Sequence, residues 1–436
     1  MRTVSMIPLL LVLCSAVCLG QVAEQGSIIG WGSNDHGQLN VPEPNTGFVD
    51  IAPGWRHSLG LKADGSIVVW GENECGQCDV PTPNIGLTAI AAGAYHSLGL
   101  KTDGSIVVWG NNNYGQCDVP TPNAGFIAIA GGGAHSLGLR ASGSIVAWGH
   151  NTYGQCDVPA PNAGFIAIAG GGAHSLGLKA DGSIVAWGHN GVGQCDVPAS
   201  NAGLIAIAGG NTHSLGLKAD GSIVAWGSQC DVPAPNAGFI AIAAGAQHNL
   251  ALKADGSIVA WGGYNMMGES SVPSPNTGFV AIAAGGDYSL AIASPSAFTY
   301  QGMLVDQSIP LDGFHDFEFV LYGGPSDVNQ LAGVVIVDDL NVIDAHYTAE
   351  LDFGRGVFTG APRWLEIWSR PGDSTGEFIT LGPRQKLLPV PYALHAGSGT
   401  LESQGPIKAT GGLIIETRTS DPSNPVTGQI WLRTDL

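Results

Sequence analysis

Charge is what this sequence has least of. Only 12% of its 436 residues are Asp, Glu, Lys or Arg, and 16 basic side chains stand against 35 acidic ones, a formal net charge of -19. So few cations leave no footprint for a phosphate backbone or an anionic lipid surface, and nucleic acid is not an expected partner. Long apolar runs are scarce too. After the first 20 residues none approaches the ~18 residues that a membrane-spanning helix needs. The usual signatures of catalysis are missing as well. There is no serine nucleophile elbow, phosphate loop, paired-carboxylate constellation or calcium-loop spacing. Neither an enzyme nor a bound cofactor is expected.

The chain opens with Met1-Arg2, an apolar run from Met6 to Leu19, then Gly20-Gln21-Val22-Ala23. A short positive start, a brief apolar stretch and small residues read as a secretory signal peptide over 1–20. The mature protein is therefore expected to be secreted or held at the cell surface. The acidic excess is spread evenly along the length, with 7 basic and 17 acidic residues in 26–293 and 8 and 17 in 294–436. Its 66 glycines suit tightly turned β structure better than disorder.

What the sequence has in quantity is repetition. Trp-Gly recurs at Trp31, Trp70, Trp109, Trp148, Trp187, Trp226 and Trp261, at intervals of 39 residues five times and then 35. A period near 40 built of short β-type runs marks a propeller blade of four strands. In one unit, strand A is Phe126–Ala130, B is His135–Leu139, C is Ser144–Trp148 and D is Gln155–Val158. Asp-Gly pairs such as Asp181-Gly182 supply the positive φ of the tight B–C hairpin. Each tryptophan, wedged between blades, buries about 150–250 Å², worth at most about 4–6 kcal/mol.

The array begins with a C strand at Ser27 and ends with a B strand at Ile292. The expected fold is therefore all-β. A seven-bladed β-propeller over 26–293 is closed by the N- and C-terminal strands of the repeat array, which removes open sheet edges. Past Ser294 the period vanishes. Alternating runs such as Asp316–Phe319 and Arg363–Ile367 predict a β-sandwich over 297–396, followed by a tail over 397–436.

The pattern G-x-x-H-S-L-x-L-K-x-D-G-S-I-V-x-W-G-x-N-x-x-G-Q, met with small lapses in every copy, resembles the regulator of chromosome condensation repeat. Its Gly-Gln-x-x-Val-Pro segment is most similar to secreted bacterial members, including the β-lactamase inhibitor protein II type. No inserted β-wedge, on which nucleotide exchange in the eukaryotic regulator depends, interrupts the repeats. Inhibitors of the β-lactamase type grip their enzyme with aromatics on the turns, whereas here Gly133-Ala134 and Gly172-Ala173 leave two neighbouring blades bare. The phrases Phe298–Gly302, Leu351–Gly354 and Pro391-Tyr392-Ala393 resemble a β-rich module of bacterial surface and fibre-like proteins, which implies surface display or association of copies through the C-terminal region.

Repeated residues read first as structure. His57, His96, His135, His174, His213 and His248 share one position with Tyr288. Symmetry holds them apart, so a hydrogen bond to a neighbouring turn is expected rather than a metal site. Cys78, Cys117, Cys156, Cys195 and Cys230 share another, as small buried hydrophobes. A local Cys75–Cys78 disulfide is the alternative for the first of them.

The B–C and D–A turns are nearly uniform, while the A–B and C–D turns, which share the other face, vary. There Trp55, Arg56, Tyr95, Tyr114, Tyr153, Tyr264 and Met266 offer the aromatic, arginine and methionine side chains of recognition surfaces. The expected function is non-enzymatic binding of a protein or glycan through that face. The alternatives are inhibition of a secreted or periplasmic enzyme, and a structural envelope or fibre role.

Overall fold

The computed structural model describes residues 26–387, apart from 200–201, 229, 264, 295–296, 307–308, 355–356, 358–362, 373 and 382, together with 415–418 and 430–433. The expected signal segment lies outside the described residues, as does most of the expected tail. Every described element is a strand. Six antiparallel three-stranded sheets follow one another along the chain, from Phe48–Pro53, His57–Lys62 and Ile67–Gly71 to Phe239–Ala244, His248–Lys253 and Ile258–Gly262. A further sheet joins Phe279–Ala284 and Tyr288–Ala293 to Ser27–Gly32, with Ser27 opposite Ala293 and Gly32 opposite Tyr288.

Each sheet has three strands rather than the four expected. The fourth segment forms no ladder because side chains take over its pairing. Asn123 Oδ1 accepts from Ile106 N and Asn123 Nδ2 donates to Ile106 O, both at 2.8 Å. Asn45, Asn84, Asn162, Asn236 and Asn276 hold their own C strands in the same way. One amide thus satisfies the donor and acceptor that an edge strand would otherwise expose. Upstream, Asn112 Oδ1 accepts from Cys117 N and Asn112 Nδ2 donates to Asp118 Oδ1, which folds the segment into a turn.

Successive sheets interlock through three sets of contacts. Trp148 packs among Leu98, Leu100, Phe126 and Ile129, between its own sheet and the one before, and Trp31 packs beside Leu250, Leu252 and Phe279. Five tryptophans (Trp70, Trp109, Trp148, Trp187 and Trp226) donate Nε1–H to a carbonyl 32 residues upstream, as Trp148 does to Gln116 O at 2.9 Å; Trp31 reaches Glu269 O across the chain ends.

The histidines form the second set. The expected partner is a turn, but each reaches the middle strand of the next sheet, where Nε2 meets an anchored serine in five repeats and Asn249 Oδ1 at His213. His96 Nε2 lies 3.0 Å from Ser136 Oγ, and Ser136 donates its own proton to Gln116 O. The imidazole must then be the donor, so it is the neutral Nε2–H tautomer. The Nδ1 atoms of all six are buried without a partner. Burial depresses their pKa, to about 4 at His57, His213 and His248 and about 3 at His96, His135 and His174. A Cβ at Gly132 would come 2.1 Å from His135 Cε1, so the ring needs glycine beside it. Tyr288 takes the position in the last repeat and donates to His57 O at 2.5 Å.

The third set is a series of backbone hydrogen bonds from one A–B turn to the next. Trp55 N donates to Ala94 O, Ala94 N to Gly133 O, Gly172 N to Gly210 O, Asn211 N to Gly245 O, and Gly286 N to Gly54 O.

Beyond Ser294, the strands Val335–Val342, Gly313–Tyr322, Arg363–Pro371 and Ile379–Thr380 form one sheet, and Ala297–Met303 pairs with His346–Asp352 in a second. Phe317, Phe319, Leu321, Tyr347, Leu351, Leu365 and Ile367 of the two sheets share one core. Ile415–Arg418 and Ile430–Arg433 pair in parallel as a separate unit.

Candidate recognition face

Strand register decides which turns share a face. Gly131 at the end of A sits opposite Ser136 at the start of B, and His135 opposite Gly149 at the end of C. The A–B and C–D turns of one repeat therefore lie side by side. Six of the C–D turns are held by a common frame, in which a glutamine, or Glu269 in the last, accepts from the backbone N–H two residues before it. Gln116 Oε1 accepts from Tyr114 N at 2.9 Å, its Nε2 donates to Asn111 Oδ1 at 3.0 Å, and Trp148 and Ser136 both grip its carbonyl. That frame is buried, and the residue preceding its glycine projects outwards.

On this frame Tyr114 is 57% exposed and Tyr153 51%, while Trp55 on an A–B turn is 42% exposed. Trp55 and Tyr95 meet edge to face with centroids 5.8 Å apart. Exposed Arg56 places Nη1 3.4 Å from Glu72 Oε1. Met266 is 82% exposed. Tyr264 falls outside the described residues. The aromatics do not gather into one pocket; they are strung along the rim.

The links between them are imidazoles that sequence reasoning did not single out. Tyr114 packs on His150 at 4.6 Å, His150 lies 6.4 Å from Tyr153, and Tyr153 packs on His189 at 4.6 Å. Gln155 and Gln194 bond the Nδ1 of His150 and His189 at 2.9 and 2.8 Å and so fix both rings. The same contact recurs as His36 with Glu72 and Cys75 with Asn111. In every case the partner is 36 residues downstream, so that spacing would have found them.

Among the described residues the thiols are free. Cys75 is exposed, whereas Cys78 points its sulfur at Glu72 O, 3.3 Å away, so the two do not pair. The repeated cysteines are half-buried rather than buried as expected, because their segment folds as a turn and not as a packed strand; partial burial still pushes the thiols of Cys78, Cys117, Cys156 and Cys195 up to about 11. Among the described residues no group of three or more His, Cys, Asp or Glu converges as a metal site.

Comparison with known proteins agrees with this architecture. The family of the regulator of chromosome condensation (RCC1) repeat matches residues 48–77, 87–116, 126–155, 165–194 and 239–265, and residues 299–384 match a domain of unknown function, DUF8740. Prp20p from Saccharomyces cerevisiae, described with its binding to Gsp1p and histones, superposes with a TM-score of 0.55 at 18% identity over 67% of this chain and 94% of its own. Yeast Prp20 bound to Kap60 gives 0.54 at 18% over 70% and 96%, and human WBSCR16 gives 0.51 at 18% over 62% and 100%. At such identities the likeness speaks for the fold alone. No curated relative matches the sequence.

Proposed function

This chain carries a propeller of RCC1-like repeats, and on that premise we propose that it acts by binding a protein or glycan on the face formed by its A–B and C–D turns. The propeller has seven blades in this reading, the last made from both ends of the repeat array. The pairing of Ser27–Gly32 with Tyr288–Ala293 and the Gly286 N to Gly54 O bond support that closure. In the same reading the opening apolar segment is a signal peptide, the mature chain is secreted or surface-exposed, and a C-terminal β-sandwich is its second module.

One observation carries the functional reading. Exposed Tyr114 and Tyr153 alternate with half-buried His150 and His189 in an aromatic run on turns whose backbone is locked from below. Large side chains on a rigid base contribute contact area at low entropic cost, as in recognition surfaces. Substituting Trp55, Tyr114 and Tyr153 together by alanine tests it. The variant is expected to keep the parent melting temperature and to lose whatever the parent captures from the producing cell's envelope and medium. Unchanged capture would remove the rim as the binding surface.

A further inference from the structure

The propeller's charges are sorted by face. Lys62, Lys101, Arg140, Lys179, Lys218 and Lys253 all end a B strand beside the B–C and D–A turns, and two of them reach over to Pro44 O and Pro122 O. They are matched there by Glu43 and the turn aspartates Asp64, Asp103, Asp181, Asp220 and Asp255. The opposite face carries Asp35, Glu72, Glu74, Asp79, Asp118, Asp157, Asp196, Asp231, Glu269 and Asp287, with Arg56 its only Lys or Arg among the described residues. The excess that is even along the sequence is thus uneven in space.

Within that face, Glu72, Glu269 and Asp287 lie around Arg56, the neighbour of Trp55 in the chain. Glu72 is only 8% exposed; its Oε1 faces Arg56 and His36, and its Oε2 is buried with no hydrogen-bond partner. Glu269 is buried where the other turns carry glutamine. Asp287 is exposed and joined through Gly286 N to the turn bearing Trp55. Burial and Glu269 raise its pKa, and Arg56 opposes that rise. Arg56 pairs with Glu72 and acts on Asp287 only through space, which leaves the cluster short of positive charge.

We propose, resting on the recognition face argued above, that its occupant is a protein segment rich in lysine or arginine, with one cationic side chain against Trp55 and Tyr95 and its charge facing exposed Asp287. Aromatic faces and carboxylates together attract a desolvating cation. The wider acidic field steers a basic partner to this face and repels phosphate backbones.

Isothermal titration of the full chain with tetralysine amide, against the same peptide acetylated on every side chain, tests this. The cationic peptide is expected to bind saturably and the acetylated one not at all. Combining Asp35→Asn, Glu74→Gln and Asp287→Asn, all exposed, should weaken binding about tenfold, the effect of removing three nearby charges. Asp64→Asn, Asp103→Asn and Asp181→Asn on the other face should leave it unchanged. No saturable binding by the parent, or equal loss in both triple variants, would overturn the inference. Absent peptide binding alongside rim-dependent capture points to an uncharged partner such as a glycan and leaves the recognition face standing. Peptide binding with rim-independent capture does the reverse for the aromatic run.

Discussion

Acid should unfold this protein, by an amount that follows from the six buried histidines. An unfolded chain binds a proton at each imidazole with a pKa near 6.5, whereas the folded values lie at about 4 for His57, His213 and His248 and about 3 for the other three. The folded pKa is depressed, so these groups cost nothing above pH 6.5 and weaken the fold as pH falls below it. Between pH 7 and 5 each costs about 2 kcal/mol, at 1.36 kcal/mol per unit, and six together cost on the order of 10 kcal/mol. Asp50 works the other way, since burial lifts its carboxyl to about 7, and it returns about 2 kcal/mol over the same interval. The remainder is comparable to the whole stability of an ordinary domain. Guanidinium unfolding at pH 7, 6 and 5 should show a midpoint falling steeply with each step. His135→Gln should start less stable and lose about one sixth less over the same pH range. A midpoint independent of pH from 7 to 5 would refute the neutral, buried imidazoles.

Two other outcomes follow from single positions. Asp50 stands where most other sheets carry alanine; because its folded pKa is raised, its stabilising share is lost as pH rises through about 7, so Asp50→Ala should gain a few kcal/mol at pH 8 and far less at pH 5, read from denaturation midpoints. Iodoacetamide at pH 8 should label exposed Cys75 first and modify half-buried Cys78, Cys117, Cys156 and Cys195, whose thiols sit at about 11, much more slowly in the folded chain; mass spectrometry showing equal labelling would contradict their raised pKa.

The repeat was legible because its period and turn residues are local signals. Tryptophan spacing, Asp-Gly hairpins and the split end strands are all visible in one dimension. The fourth strand was misread because Gln155–Val158 has strand-like composition, while the pairing it would supply comes from Asn162 on the far side of a proline turn. The histidines were correctly read as structural but given the wrong partner, since serine 40 residues downstream lies within reach only once sheets pack side by side. Trp55, Arg56, Tyr95, Tyr114, Tyr153 and Met266 do lie on the variable turns. His150 and His189 escaped notice because each looks like an isolated polar residue until the neighbouring tyrosine packs against it.

The strand Ser27–Gly32 leaves the ribosome early, yet its partner ends at Ala293. At about 5–20 residues per second, the first hairpin partner arrives only after tens of seconds of synthesis. Until then Trp31 and the backbone groups of Ser27–Gly32 have no mate, and the strand at the far end of the nascent array has none either. Assembly of that sheet is therefore the last event of the domain's maturation, and a chain stopped short of Ala293 would carry two sticky termini instead of none.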